Sequence, residues 1–166
     1  MKINNAFKLI VAIAVCESAG IIGSIFTAPA IGGWYANLSK PSFSPPSWIF
    51  APIWTVLFAL MGVALFFVWL SYNKASQKKD KIKAKSAIII FFVQLIVNVL
   101  WSVLFFGLQN PGAAFAEIII LWFEIVIAIY AFAKVSKTAA WLLVPYLLWV
   151  SFAAYLNYSI WQLIAK

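Results

Sequence analysis

The chain has 166 residues, 66% hydrophobic and only 10% charged, whereas soluble domains are closer to half apolar and a quarter charged, so water is excluded as its main solvent. The single cysteine, Cys16, and the lack of histidine exclude an internal disulfide and a Cys/His zinc cluster, and leave no histidine to hold a haem iron. The net charge of +8 comes from lysines alone, confined to the connections between apolar runs, which is the pattern of membrane topology and not of a nucleic-acid surface.

Five apolar runs follow one another, at about residues 7–26, 48–72, 87–108, 113–133 and 139–164. Each is long enough to cross a bilayer as a helix, which needs about 20 residues. The expected fold class is therefore an all-α integral membrane protein, a five transmembrane helix bundle with a long, partly ordered loop between helices 1 and 2. Residues 1–166 are read as one membrane domain, because short crossings need one another to satisfy their polar groups. The first run contains Glu17, exceeds a signal-peptide core of roughly 7–15 residues and lacks a convincing cleavage site, so it is read as a mature helix.

The connections alternate in charge. Lys2 and Lys8, then Lys74 to Lys85, then Lys134 and Lys137 share one side, and only Lys40 and Lys166 fall on the other. Lysine-rich loops stay in the cytoplasm, so the amino terminus is expected inside and the carboxyl terminus outside. The loop of residues 27–47 then lies on the outer face. Pro29, Pro41, Pro45 and Pro46 within it argue against a single helix. Its aromatics Trp34, Tyr35, Phe43 and Trp48 fit either an interfacial belt or a folded cap over a cavity. The short third connection, GLQNPGA, makes spans three and four antiparallel neighbours.

Polar residues inside hydrocarbon mark sites by default. Glu17 shares a stripe with Gly20 and Ser24; Glu124 lies deep in span four, and Glu117 lies near its outer end, within reach of water. A proton relay is one reading of the deep carboxylates, and bridging between helices is the other. Span three carries Gln94, Asn98, Trp101, Ser102 and Phe105 on one stripe, and span five carries Tyr146, Trp149, Ala153 and Asn157. Span two carries Trp54, Phe58 and Met61. Aromatics mixed with a few amides suit a pocket for a flat apolar ligand, although the same amides can bond helix to helix. The pairs Ala19/Gly23 and Gly20/Ser24 permit close helix contact, within the bundle or in a homodimer. No Ser/His/Asp set and no phosphate loop is present, so conventional hydrolysis and phosphoryl transfer are not expected.

Three segments carry a resemblance: WYANLSKPSFSPPSWIFAPIWTVLF from Trp34, NVLWSVLFF from Asn98, and PYLLWVSFAAYLNYSIW from Pro145. They resemble the tryptophan-rich sensory protein family, TspO/MBR, which includes the translocator proteins or peripheral-type benzodiazepine receptors. The resemblance implies a five-helix bundle, usually a homodimer in membrane lipid, whose cavity opens toward the first loop and binds small lipophilic ligands such as protoporphyrin IX or a related tetrapyrrole. It implies no required cofactor, no metal and no nucleic acid, and a bacterial cell membrane as host. Carried over by motif, Tyr35 would cover the pocket, Trp54 and Phe58 form the span-two wall, Asn98 and Trp101 the span-three contacts, and Trp149 and Ala153 the span-five wall. Glu117 stands where many relatives have aspartate. Trp54 and Trp149 match tryptophans implicated in light-dependent porphyrin degradation by bacterial relatives, so three roles stay open: a tetrapyrrole receptor or transporter, a photochemical activity, and a structural protein with an incidental cavity. Phe43 replaces a tryptophan frequent in the family loop, and Gln162 replaces the arginine of the animal cholesterol consensus, so cholesterol recognition by that consensus is not expected.

Overall fold

Lipid leaves the backbone no partner but itself, and the chain responds with helices almost throughout. The computed structural model describes residues 4–165, so Lys2 and Lys166 of the lysine pattern lie outside the described residues. It contains α1 (Asn5–Ile31), α2 (Phe50–Lys74), α3 (Lys78–Ser102), α4 (Pro111–Ala133), α5 (Lys137–Leu142) and α6 (Val144–Ile164). Five segments are long and apolar enough to cross a membrane: α1, α2 with its preceding turn, α3 with its π-helical extension, α4, and α5 joined to α6. The five expected crossings all form, and the chain is an integral membrane protein.

Three boundaries differ from the sequence expectation, each for a physical reason. The first helix runs through Pro29 to Ile31, so the loop starts at Gly32 and not at residue 27. Proline in a last turn removes one backbone donor only, and the helix is ending there anyway. The third helix starts at Lys78, nine residues before its apolar run at residue 87. Hydropathy delimits what lies in lipid, whereas a helix can extend into water on propensity alone, here with Asp80 in its first turn and a 3.2 Å ion pair from Lys83 to Asp80. The fifth crossing breaks at Leu143, where Pro145 enters the first turn of α6 and cannot donate to the preceding turn.

Around the bundle α1 packs on α2 and α3, α2 on α3 and α5, and α4 on α3, α5 and α6. Alanines carry much of the close packing: Ala12, Ala64, Ala87, Ala114 and Ala139 are almost wholly buried, as expected where dispersion at short range replaces the hydrophobic effect. The small residues of α1 also serve the monomer's own packing. A Cβ on Gly23 would sit 3.1 Å from the Ser102 hydroxyl, and one on Gly20 would sit 2.7 Å from the Phe58 ring. The closest approach is at Gly62 of α2, where a Cβ would lie 2.5 Å from the Ile13 Cα and 3.0 Å from the Ala12 carbonyl oxygen.

The loop between α1 and α2 is folded. A 3-10 turn at Tyr35–Asn37 is held by Lys40, whose Nζ donates to the carbonyls of Tyr35 (2.7 Å), Ala36 (3.0 Å) and Leu38 (3.2 Å). The Asn37 amide donates to the Gly33 carbonyl at 3.0 Å. Phe43 stacks on Tyr155 of α6, with ring centroids 5.1 Å apart, so the ring that replaces tryptophan still pins the loop to the bundle. Of the loop aromatics only Trp48, 73% exposed, has the position of an interfacial belt residue; Tyr35 is buried, and Trp34 packs edge-on against Phe105 at 5.6 Å.

Two outcomes follow. Gly62→Ala forces α1 and α2 apart because backbone cannot give way, so it lowers stability by about 1–3 kcal/mol, whereas Gly20→Ala meets only a side-chain ring and costs less; thermal unfolding in detergent compares them. Lys40→Met leaves the bundle intact but frees the loop turn, with amide exchange from Tyr35 to Leu38 roughly tenfold faster or more, since hydrogen bonds from a charged group contribute about 1.5–3 kcal/mol.

Candidate ligand-binding site

A cavity of about 370 Å³ lies in the half of the bundle nearest the loop, within the range of roughly 300–1,000 Å³ common for small-molecule sites. It follows α1 from Glu17 to Ile31, roughly 20 Å at 1.5 Å per residue. Of the eight residues expected at the site, seven line it: Tyr35, Trp54, Phe58, Asn98, Trp101, Trp149 and Ala153. The helical stripes of spans two, three and five therefore do converge on one void, with Trp54, Trp101 and Trp149 on different walls.

Aromatic rings dominate the α2, α3 and loop sides of the cavity. Trp54 stacks on Phe58 at 5.5 Å, with Phe58 seated against Gly20, where no side chain competes for the space. Trp101 stacks on Phe105 at 5.0 Å. Toward the loop, Tyr35 sits among Phe50, Phe105 and Phe106 at 6.3, 6.2 and 5.7 Å, and Phe50 meets Trp149 edge-on at 6.2 Å. Phe105 and Phe106 both belong to the π-helical turn Val103–Gly107, and both are buried there.

The amides do both things that the sequence left open. Asn98 lines the cavity and donates to the Tyr146 hydroxyl at 2.9 Å, and that hydroxyl donates to the Gln94 carbonyl at 3.0 Å. Asn157 lines it too, accepting from the Trp101 indole at 3.0 Å and donating to the Pro111 carbonyl at 2.7 Å. Gln94 and Tyr146 lie behind the wall.

Two further polar atoms belong to lining residues and have no partner: the Tyr35 hydroxyl and the Trp149 indole nitrogen, both buried. Burial raises the Tyr35 phenol pKa above its ordinary value, so it stays a proton donor. Buried donors are nearly always satisfied, and an orphan pair beside a cavity suits acceptor atoms on a guest.

The carboxylates are placed differently from expectation. Glu117, expected near water, is buried at 7% exposure with both oxygens unpartnered, and it does not line this cavity. It lies on the inward stripe of α4 with Ala114, Leu121 and Ala128, a consequence of helix rotation that depth alone does not reveal. Glu124 is half-buried, and its Oε2 also has no partner. Glu17 lines the cavity, and among the described residues it has no ion-pair partner. The signal for Glu17 was present in the sequence, since Gly20 and Ser24 of its stripe line the same cavity.

Comparison with known proteins accords with this architecture. The profile of the TspO/MBR family matches residues 12–162. The tryptophan-rich protein TspO of Chlorobaculum tepidum is 45% identical over 93% of this chain and 94% of its own length. The protein of that name from Archaeoglobus fulgidus is 42% identical over 96% of this chain and 98% of its own. The translocator protein of Ovis aries is 36% identical over 89% and 85%. With that profile spanning most of the chain and these relatives matching nearly its whole length, the chain belongs to the TspO/MBR family.

Proposed function

We propose that this protein is a membrane receptor, or a transporter-like binding protein, for flat lipophilic ligands, with tetrapyrroles such as protoporphyrin IX foremost, and that it serves a regulatory or stress-sensing role. The observation that carries this reading is the aromatic cavity with two unpartnered donors, on Tyr35 and Trp149. Indole and phenyl faces stack a planar macrocycle, and the phenol and indole N–H supply hydrogen bonds to its peripheral carboxylates. The Lys40 ammonium, 4.9 Å from the centroid of the Tyr35 ring, adds positive potential on the loop side. We also propose that the loop faces outward and the lysine-rich start of α3 faces the cytoplasm, since Lys74, Lys78, Lys79, Lys81, Lys83 and Lys85 cluster there.

Binding of protoporphyrin IX in the dark quenches tryptophan fluorescence. Replacing both Trp54 and Trp149 by alanine weakens the fitted affinity tenfold or more, from about 0.5–1.5 kcal/mol per aromatic contact. Tyr35→Phe weakens it less, by the roughly 0.5–1.5 kcal/mol of one hydrogen bond. Full affinity in the double variant would remove the pocket from this role. For orientation, single cysteines replacing Ser39 or Ser76 in a Cys16→Ser background are treated with an impermeant maleimide. The Ser39 position reacts on intact cells and the Ser76 position only after lysis; the reverse pattern overturns the topology.

A further inference from the structure

Glu17 stands alone in its surroundings. Apart from the Tyr35 phenol it is the one ionisable side chain among the residues lining the cavity, and no lysine is among them. It sits in the middle of α1 on a wall otherwise built from Gly20, Ile21, Ser24 and the α2 side chains Ala51 and Thr55. Ile21, Ser24, Ala51 and Thr55 are all exposed, so this wall is where the cavity meets the bilayer between α1 and α2. The nearest cation along α1 is Lys8, which lies over the Trp69 ring at the other end of the helix, and Lys40 is held by three loop carbonyls. A carboxylate at bilayer depth is neutralised either by a proton or by a cation, and no cation of the bundle stands beside it among the described residues, so a guest can supply one.

Resting on the reading of this cavity as a ligand site, we propose that Glu17 is a specificity-determining residue that admits flat lipophilic cations, aromatic rings bearing an ammonium or amidinium nitrogen, as a second ligand class. The cation enters from the lipid side between α1 and α2, places its rings between Trp54, Phe58 and Trp101, and sets its charged nitrogen against the Glu17 carboxylate. Low dielectric strengthens that pair far beyond what it would contribute in water. The same carboxylate repels acidic groups from the deep end, so a tetrapyrrole binds with its carboxylates toward Tyr35 and Lys40.

The test uses the full chain in zwitterionic nanodiscs and two ring-matched probes, 9-aminoacridine, a cation at neutral pH, and acridine, neutral there. Wild type binds 9-aminoacridine at least tenfold more tightly than acridine, by tryptophan quenching. Glu17→Gln abolishes that ratio, with helical circular dichroism and thermal unfolding reporting that the variant is folded; Glu17→Asp keeps part of the ratio. Equal wild-type affinities, or a ratio that survives in Glu17→Gln, overturns the inference, and the wild-type ratio decides even if the variant does not fold. If acridine and protoporphyrin IX bind while Glu17 has no effect, only this inference falls. If neither binds to wild type, the cavity reading falls with it.

Discussion

Two hydrogen-bonded clamps hold the polar side of the bundle, and the cavity depends on them. Asn98 to Tyr146 to Gln94 ties α3 to α6, and Trp101 to Asn157 to the Pro111 carbonyl ties α3 and α6 to the start of α4. In hydrocarbon these amides have no water to fall back on, so the clamps fix the rotation of α3 and α6 about their axes. That rotation turns Trp101, Trp149 and Ala153 toward the same void.

Opposite the clamps, α1 and α2 approach by shape alone. At Gly62 backbone lies against backbone, which leaves no room for a guest, whereas toward the loop the contact is between Gly20 and the Phe58 ring. The space therefore opens in the half nearest the loop. The loop closes that half from above, with Tyr35 driven down among phenylalanines by the Lys40 clamp on the backbone around it. The bundle thus pairs a close-packed floor and a hydrogen-bonded back wall with a lipid-facing side made of small and exposed residues.

Single side chains set the chemistry of the loop contact and of the cavity. Phe43 keeps its stacking on α6 without an indole donor. Glu17 adds a carboxylate to walls that are otherwise aromatic, small or neutral. Glu117 and Glu124, by contrast, leave buried oxygens unpartnered away from the cavity, a feature for which the packing supplies no account.

By itself, the sequence determined the number of crossings, the aromatic and amide stripes and the family, because hydropathy and helical period act locally and need no knowledge of neighbours. It also marked Tyr35, Trp54, Asn98, Trp101 and Trp149 as residues that share a site. Only the tertiary structure decided which way each helix turns about its axis, and that separates Glu17, on the cavity wall, from Glu117, buried elsewhere, although both are carboxylates in apolar runs. The π-helical turn that holds the buried Phe105 and Phe106 was equally invisible, since it arises from packing on its neighbours and not from any periodicity in the chain. Lys40 read as a topological charge and became a backbone clamp, because a side chain's partners are set by the fold around it.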